Sequence, residues 1–486
     1  MPVLSAPKSN SLSRGLSINS RKRFHLLNEE TKRNIQQRKS HFERLPIELK
    51  VEIYVFCQAL YPRFSAKEAP LLLCQVSATW RTIVLSTPRL WAGFEVKVPD
   101  FGAVDSVQHQ NQLRSMNLWL ERSRNNPLSV RIIQNPVGRI PDYRSAELLA
   151  ALIPHARRWR DIHFHIPSSS VQPLQESLPE QFPELRSLTL DMRGLWSSII
   201  PLDIRTLGIP WEQLTDLNLH LDYNHLLTLD ECLGILAQCT NLYRCTLNAD
   251  CAFLANSRRP EKVALPMLQA LNLNLQRGEQ VWNNGFRITD PPESCLVSFL
   301  EQFEFSRLQS LRMEWLVMWN GDSTHWSEAH PRFTSILKNS SPALQSLSLV
   351  YLPLAESDIL ACLAEVPNLT NLDLRFSLAD REHDPISDSL LRALTLGPDR
   401  SSAGLLPLLD HIYLQCYGAR STTSQVIDLV ESRWVPSPRD GANEARRGLK
   451  SFRFISMKPA DLELRERLES WLEGGLDASV DRVRVR

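Results

Sequence analysis

Few residues in this sequence have the type and spacing that chemistry needs. His163 and His165 stand two apart with Asp161 two places before His163, so on a strand all three would point the same way, as a set of metal ligands must. No further ligand is identifiable, and they read instead as exposed strand residues. Asp216, Asp222 and Asp250 supply carboxylates, but nothing in their spacing pairs two of them as an acid and a base. The nine cysteines form no C-x-x-C pair and sit in apolar segments such as Leu73-Cys74-Gln75 and Glu231-Cys232-Leu233. That usage fits reduced thiols in the cytosol or nucleus. The chain contains no G-x-x-x-x-G-K-[ST] or G-x-G-x-x-G loop for phosphate, no H-E-x-x-H zinc motif and no G-x-S-x-G nucleophile elbow. No catalytic residue, metal or cofactor is assigned, and the expectation is a binding protein rather than an enzyme.

The elements that carry these residues follow from composition and periodicity. Of the 486 residues, 43% are hydrophobic and 22% charged, and the net charge is +1. This is the balance of a soluble globular chain with no global field toward nucleic acid or an acidic membrane. No apolar run reaches the roughly 20 residues a bilayer span needs. A soluble protein of the cytoplasm, the nucleus or both is expected. Residues 1–20 are small and polar and are expected to be a disordered tail. Residues 21–42, with Arg21, Lys22, Arg23, Lys32, Arg33, Arg38 and Lys39, read as a basic helical lead-in. A nucleic-acid role for that segment is disfavoured, because aromatics for base stacking are missing beyond Phe24.

From about residue 115 the hexad L-x-x-L-x-L recurs. It appears as LRSLTL (185–190), LTDLNL (214–219), LYRCTL (242–247), LQALNL (268–273), LQSLRM (308–313), LQSLSL (344–349), LTNLDL (369–374), LDHIYL (409–414) and LKSFRF (449–454). WRDIHF (159–164) is a degenerate copy and PLSVRI (127–132) an earlier strand. The last four positions alternate as a strand with one buried face must, and the leading leucine closes the turn that enters the strand. Helical patterns such as CLGILAQCTN, FTSILKNSS and DILACLAEVPN lie upstream. Such units bury a core only by stacking. The region resembles the leucine-rich repeat family, which implies a fold of the α/β class, a horseshoe-like solenoid over 115–456. Hexads start between 25 and 40 residues apart, and Arg193, Asp222 and Asp250 stand where the family places Asn or Cys. An irregular solenoid is therefore expected. Residues 457–486 are expected to form a helical cap and tail, with Trp471 packed on the last repeats.

Ahead of the repeats, Leu45, Leu49, Ile53 and Phe56 fall on one helical stripe, with Pro46 suited to the first helical turn. Leu72, Val76 and Trp80 follow at four-residue spacing on a second helical pattern that Pro88 stops. These residues sit in LPIELKVEI (45–53), LCQVSATWRTI (73–83) and PRLW (88–91). The segment 43–94 resembles the F-box family, with Ser77 where a Cys is frequent and Tyr54 where a Phe is frequent. It is most similar to fungal, basidiomycete-like members, in which a Trp-Leu-Glu-Arg-Ser segment and Pro-Leu-Ser follow; here those are 119–123 and 127–129. The resemblance implies that Leu45, Pro46, Leu49, Ile53, Leu72, Val76 and Trp80 meet a Skp-type adaptor and, through it, a cullin. Trp80 and Trp91 are expected to be largely internal.

The expected function is substrate recognition for a Skp–cullin–F-box ubiquitin ligase, with an unknown target protein on the strand face. Target-facing candidates are the polar hexad positions Asp216, Asn218, His220, Arg244, Asn248, Asn272, Arg312, Glu314, Asp373, Arg375, His411 and Tyr413. The alternative is a repeat-based interaction scaffold with no ligase role.

Overall fold

A computed structural model describes residues 41–98, 106–135, 144–177, 182–192, 203–222, 226–253, 261–277, 282–283, 286–287, 291–317, 326, 329–378, 381, 384–397, 404–434 and 448–482. The expected tail at 1–20, nearly all of the basic lead-in, Arg193 and most of the 433–450 loop lie outside these residues. The chain divides into two units, one ending at Trp91 and the other starting at Ala92.

In the first unit, α1 (Ile47–Phe56) starts after Pro46, which sits at the N-cap rather than inside the first turn. The expected second helix is broken in two, α2 (Leu73–Val76) and α3 (Ala78–Leu85). Ser77 causes the break. It is extended, with φ −159° and ψ 165°, and its side chain accepts a hydrogen bond from the N–H of Trp80. Serine is a strong N-cap because its hydroxyl satisfies a donor that the new helix leaves orphaned. Leu72 and Val76 therefore do not share a helical stripe with Trp80. The small core consists of Phe42, Tyr54 and Trp80, with ring centroids 4.8–6.0 Å apart, together with Leu73, Ile83, Val84, Leu90 and Trp91. Trp91 is fully buried, and its Nε1 donates to the Val84 carbonyl at 3.0 Å. Gln58 Nε2 ties α1 to the Leu90 carbonyl at 2.8 Å.

The second unit is built on strands that the alternating hexads dictate. They are β1 (Gly93–Val98), β2 (Leu128–Gln134), β3 (Trp159–Ile166), β4 (Ser187–Met192), β5 (Asp216–His220), β6 (Leu227–Thr228) and β7 (Arg244–Asp250). Next come β8 (Val263–Ala264), β9 (Ala270–Gln276), β10 (Trp282–Asn283), β11 (Phe286–Arg287), β12 (Phe303–Glu304) and β13 (Ser310–Leu316). The last are β14 (Ser346–Val350), β15 (Asn371–Arg375), β16 (His411–Gln415), β17 (Ser451–Ser456) and β18 (Asp477–Arg482). Fourteen of them form one sheet in the order β1-β2-β3-β4-β5-β7-β9-β13-β14-β15-β16-β17-β18, with β6 beside β7. All of its pairings are parallel. Parallel neighbours need a crossover, and helices such as Leu229–Leu236, Pro292–Leu300, His330–Ser340 and Glu356–Ala364 supply it.

The leading leucines Leu185, Leu214, Leu242, Leu268, Leu308, Leu344, Leu369, Leu409 and Leu449 are all buried, as are the alternate strand residues behind them. Truncating one to Ala would cost about 2–5 kcal/mol. The backbone explains why the next hexad position accepts any side chain. The N–H groups of Thr215 and Asp216 both reach the Arg186 carbonyl, and those of Tyr243 and Arg244 reach that of Thr215. The same double acceptance repeats at Tyr243, Gln269, Gln309, Gln345, Thr370 and Asp410. This position therefore serves through its carbonyl while its side chain is left unspecified.

The sheet extends beyond the hexads at both ends. It starts at Gly93, inside the segment assigned to the front module and ahead of residue 115. After the helix Leu462–Glu473 it gains β18, so residues 457–486 add a final helix and strand rather than a helical cap alone. Trp471 is 1% exposed and packs edge-on against Phe452 of β17. The repeats are irregular, as expected. Short pairs, β8 with β12 and β10 with β11, stand apart from the main sheet. Among the described residues, no helix is long and apolar enough to cross a membrane.

Candidate binding surfaces

Two surfaces carry the residues singled out from the sequence. The first lies on the front unit. Leu49, Ile53 and Phe56 stand three and four residues apart on α1 and are 50%, 37% and 87% exposed. Leu72 and Val76, at the start and end of α2, are 45% and 56% exposed. Pro46 is exposed, whereas Leu45 and Trp80 are half-buried, Trp80 stacking on Tyr54 and Phe42. Sequence reasoning left Ile47, Phe56, Leu60 and Leu85 out of the adaptor set, yet all four are exposed. Phe56 was legible, because it continues the Leu49–Ile53 stripe. Half of the described chain's sixteen exposed large apolar side chains fall within residues 47–85. A folded unit leaves such side chains scattered unless a partner covers them.

The second surface is the polar face of the sheet. One register row runs through Glu95, Arg131, His163, Thr189, Asn218, Thr246, Asn272, Arg312, Ser348, Asp373, Tyr413, Arg453 and Ser479. The side chains bind one another across strands. At the β1–β4 end, Arg131 faces Glu95 at 3.5 Å, Ser129 Oγ donates to Asp161 at 2.6 Å, and His165 Nδ1 lies 2.9 Å from Asp191. His163 and His165 are therefore half-buried members of this network rather than exposed residues. Burial, reinforced by the Arg131 charge, holds His163 down to about 4, so it is neutral at physiological pH.

In the centre the row is uncharged. Asn272 Nδ2 donates to Thr246 Oγ1 at 3.2 Å, while Asp216 pairs with Arg244 at the edge of the row. Asn218 and His220 are half-buried and His411 is exposed. Asn248 is 3% exposed and donates to the Leu221 carbonyl at 3.0 Å. It is withdrawn from the face because its side chain serves the turn after β5, a role the hexad pattern does not encode. Toward β13–β16 the row becomes charged again. Asp373 accepts from Arg312 Nη1 at 3.2 Å, Ser348 Oγ at 2.8 Å, and Arg375 Nε and Nη2 at 2.7 and 2.8 Å. Arg312 Nη2 also donates to Glu314 at 3.0 Å, and the Arg375 guanidinium lies 4.1 Å from the centre of the Tyr413 ring.

One constellation with the outline of a nucleophile site was missed in the sequence. Cys362 Sγ lies 3.6 Å from His330 Nε2, and His330 Nδ1 lies 3.9 Å from Asp358. Burial pushes the Cys362 thiol up to about 12, and the residue is fully enclosed. A thiol held neutral and out of solvent reach packs as an apolar residue and attacks nothing. Among the described residues, no group of three or more His, Cys, Asp or Glu is placed to hold a metal ion.

No family model and no curated protein matches the chain. Among solved structures, it is similar to a chain of the crystal structure of the Rad7 and Elc1 complex in yeast, at 16% sequence identity and a TM-score of 0.37. The match covers 79% of this chain and 90% of that one.

Proposed function

We propose that the chain is a substrate-recognition subunit of a Skp–cullin–F-box ubiquitin ligase, in which the front unit binds a Skp-type adaptor and the sheet face binds a target protein. The observation that carries this reading is the apolar surface of Leu49, Ile53 and Phe56 on α1 with Leu72 and Val76 around α2. Four of these five, all but Phe56, are positions through which the F-box resemblance implies adaptor contact. Each such anchor contributes about 1.5–3 kcal/mol when fully buried. Loss of two therefore forfeits about 3–6 kcal/mol, which weakens a micromolar complex by about two to four orders of magnitude. The chain itself performs no chemistry. It holds a target close to a separate ubiquitin-transferring enzyme, raising the effective concentration.

Affinity capture under proteasome block, comparing wild type with a Leu49→Asp/Ile53→Asp variant, tests the role. Ubiquitylated proteins should be captured with the wild type, together with the adaptor and cullin, and should vanish with the variant. Capture of the same proteins without adaptor or ubiquitin by both chains would favour a repeat scaffold with no ligase role.

A further inference from the structure

We propose that the β13–β16 end of the sheet is the docking spot for the target, and that its ligand is an uncharged protein segment led by an aromatic side chain. The inference rests on the reading of the sheet face as the target surface. Three observations single out this end. The Arg375 guanidinium is held by its Nε and Nη2 edge against Asp373 at 2.7 and 2.8 Å, and its Cζ lies over the Tyr413 ring, 4.1 Å from the ring centre. That edge is spent, and 28% of the Arg375 side chain remains exposed. A guanidinium already stacked on one ring completes a sandwich when a second ring arrives.

The backbone at the same place is strained. Tyr351, just past β14, has φ +59°, a conformation rare for a bulky residue and typical of sites where strain serves a function. Its N–H donates to the Arg375 carbonyl at 2.7 Å, and its hydroxyl accepts from Gln415 Nε2 at 3.3 Å. The residue is thereby tied to β15 and β16 and remains 39% exposed. Preset Tyr and Arg side chains are the composition of binding hot spots, because little conformational entropy is left to lose.

Charge sets the ligand class. Arg312 and Arg375 are balanced by Glu314 and Asp373, and both terminal nitrogens of Arg312 are already engaged, Nη1 with Ser348 and Asp373 and Nη2 with Glu314. A phosphorylated or acidic segment would meet two fixed carboxylates and arginines that are already paired. A neutral aromatic segment meets no such opposition.

Random dodecapeptides displayed on phage and panned against the full-length chain provide the test. Enriched peptides should carry an aromatic residue and near-zero net charge. They should bind about thirtyfold more weakly to Arg375→Ala, the loss expected for a desolvated cation–π contact, and within about twofold of wild type to Tyr413→Phe, which keeps the ring. Adaptor capture and the circular-dichroism spectrum should be unchanged in both variants. Enrichment of acidic peptides, no enrichment, or peptides that bind Arg375→Ala as well as wild type would overturn the inference. If that happens while adaptor capture persists, this inference alone fails. If peptides discriminate as expected but the adaptor never binds, the ligase reading alone fails.

Discussion

Ser77 Oγ accepts a hydrogen bond from the backbone N–H of Trp80 at 3.2 Å, and this contact divides one apolar helical pattern into two helices with different duties. Leu72 and Val76 stay on the solvent side, while Trp80 turns onto Tyr54 and Phe42. Ser77→Ala should lower the stability of the front unit by about 1 kcal/mol, the usual loss for an N-cap serine. Urea denaturation followed by tryptophan emission would read it. Ser77→Asp, which keeps an acceptor, should restore most of the loss.

Tyr54 is 1% exposed, and its hydroxyl has no hydrogen-bond partner among the described residues. A buried hydroxyl without a partner costs about 1–3 kcal/mol. Tyr54→Phe removes that penalty and keeps the ring in the stack, so the unfolding midpoint of the front unit should rise. A fall would mean that the hydroxyl is satisfied.

Arg433 is 3% exposed and donates to the carbonyls of Leu394, Leu406 and Leu405 at 2.7–2.8 Å. It closes the end of the helix Asp388–Leu394 and fixes the turn where Leu406 adopts φ +58°. Arg433→Met strands three buried acceptors and should destabilise the repeats by about 3–5 kcal/mol. Arg433→Lys should also lose stability, because an ammonium cannot span three carbonyls as the planar fork does. Circular-dichroism melts of the full chain would rank the three.

His163 contributes a pH dependence with a defined sign. Its folded-state value is depressed to about 4 from an ordinary 6.5, so between these limits the unfolded chain binds more protons than the folded one. The stability it contributes is present above pH 6.5 and is lost as pH falls toward 4. His163→Gln should flatten the urea midpoint over that window relative to wild type. An unchanged slope would show that the imidazole is not held neutral.

The repeats were legible because a two-residue alternation and a fixed leading leucine are written into each hexad, and every one of those leucines is buried. The outer strands were not. Gly93–Val98 and Asp477–Arg482 lack the leading leucine and join the sheet only through their neighbours' open edges. The candidate residues were half legible. Alternation located the polar face, but pairing across it, such as Arg244 with Asp216 and Arg312 with Asp373, depends on which strands become neighbours. Asn248 was misjudged for the same reason, since its partner, the Leu221 carbonyl, lies in the preceding repeat. On the front unit, the exposed stripe was visible from helical spacing, whereas the Ser77 break required recognising a cap inside an apolar run.

The most direct measurement is a calorimetric titration of the full-length chain with a purified Skp-type adaptor. The account predicts a micromolar or tighter complex that Leu49→Asp/Ile53→Asp abolishes, with the circular-dichroism spectrum of the repeats unchanged. No heat of binding from the wild-type chain, or undiminished binding by the double variant, would contradict it.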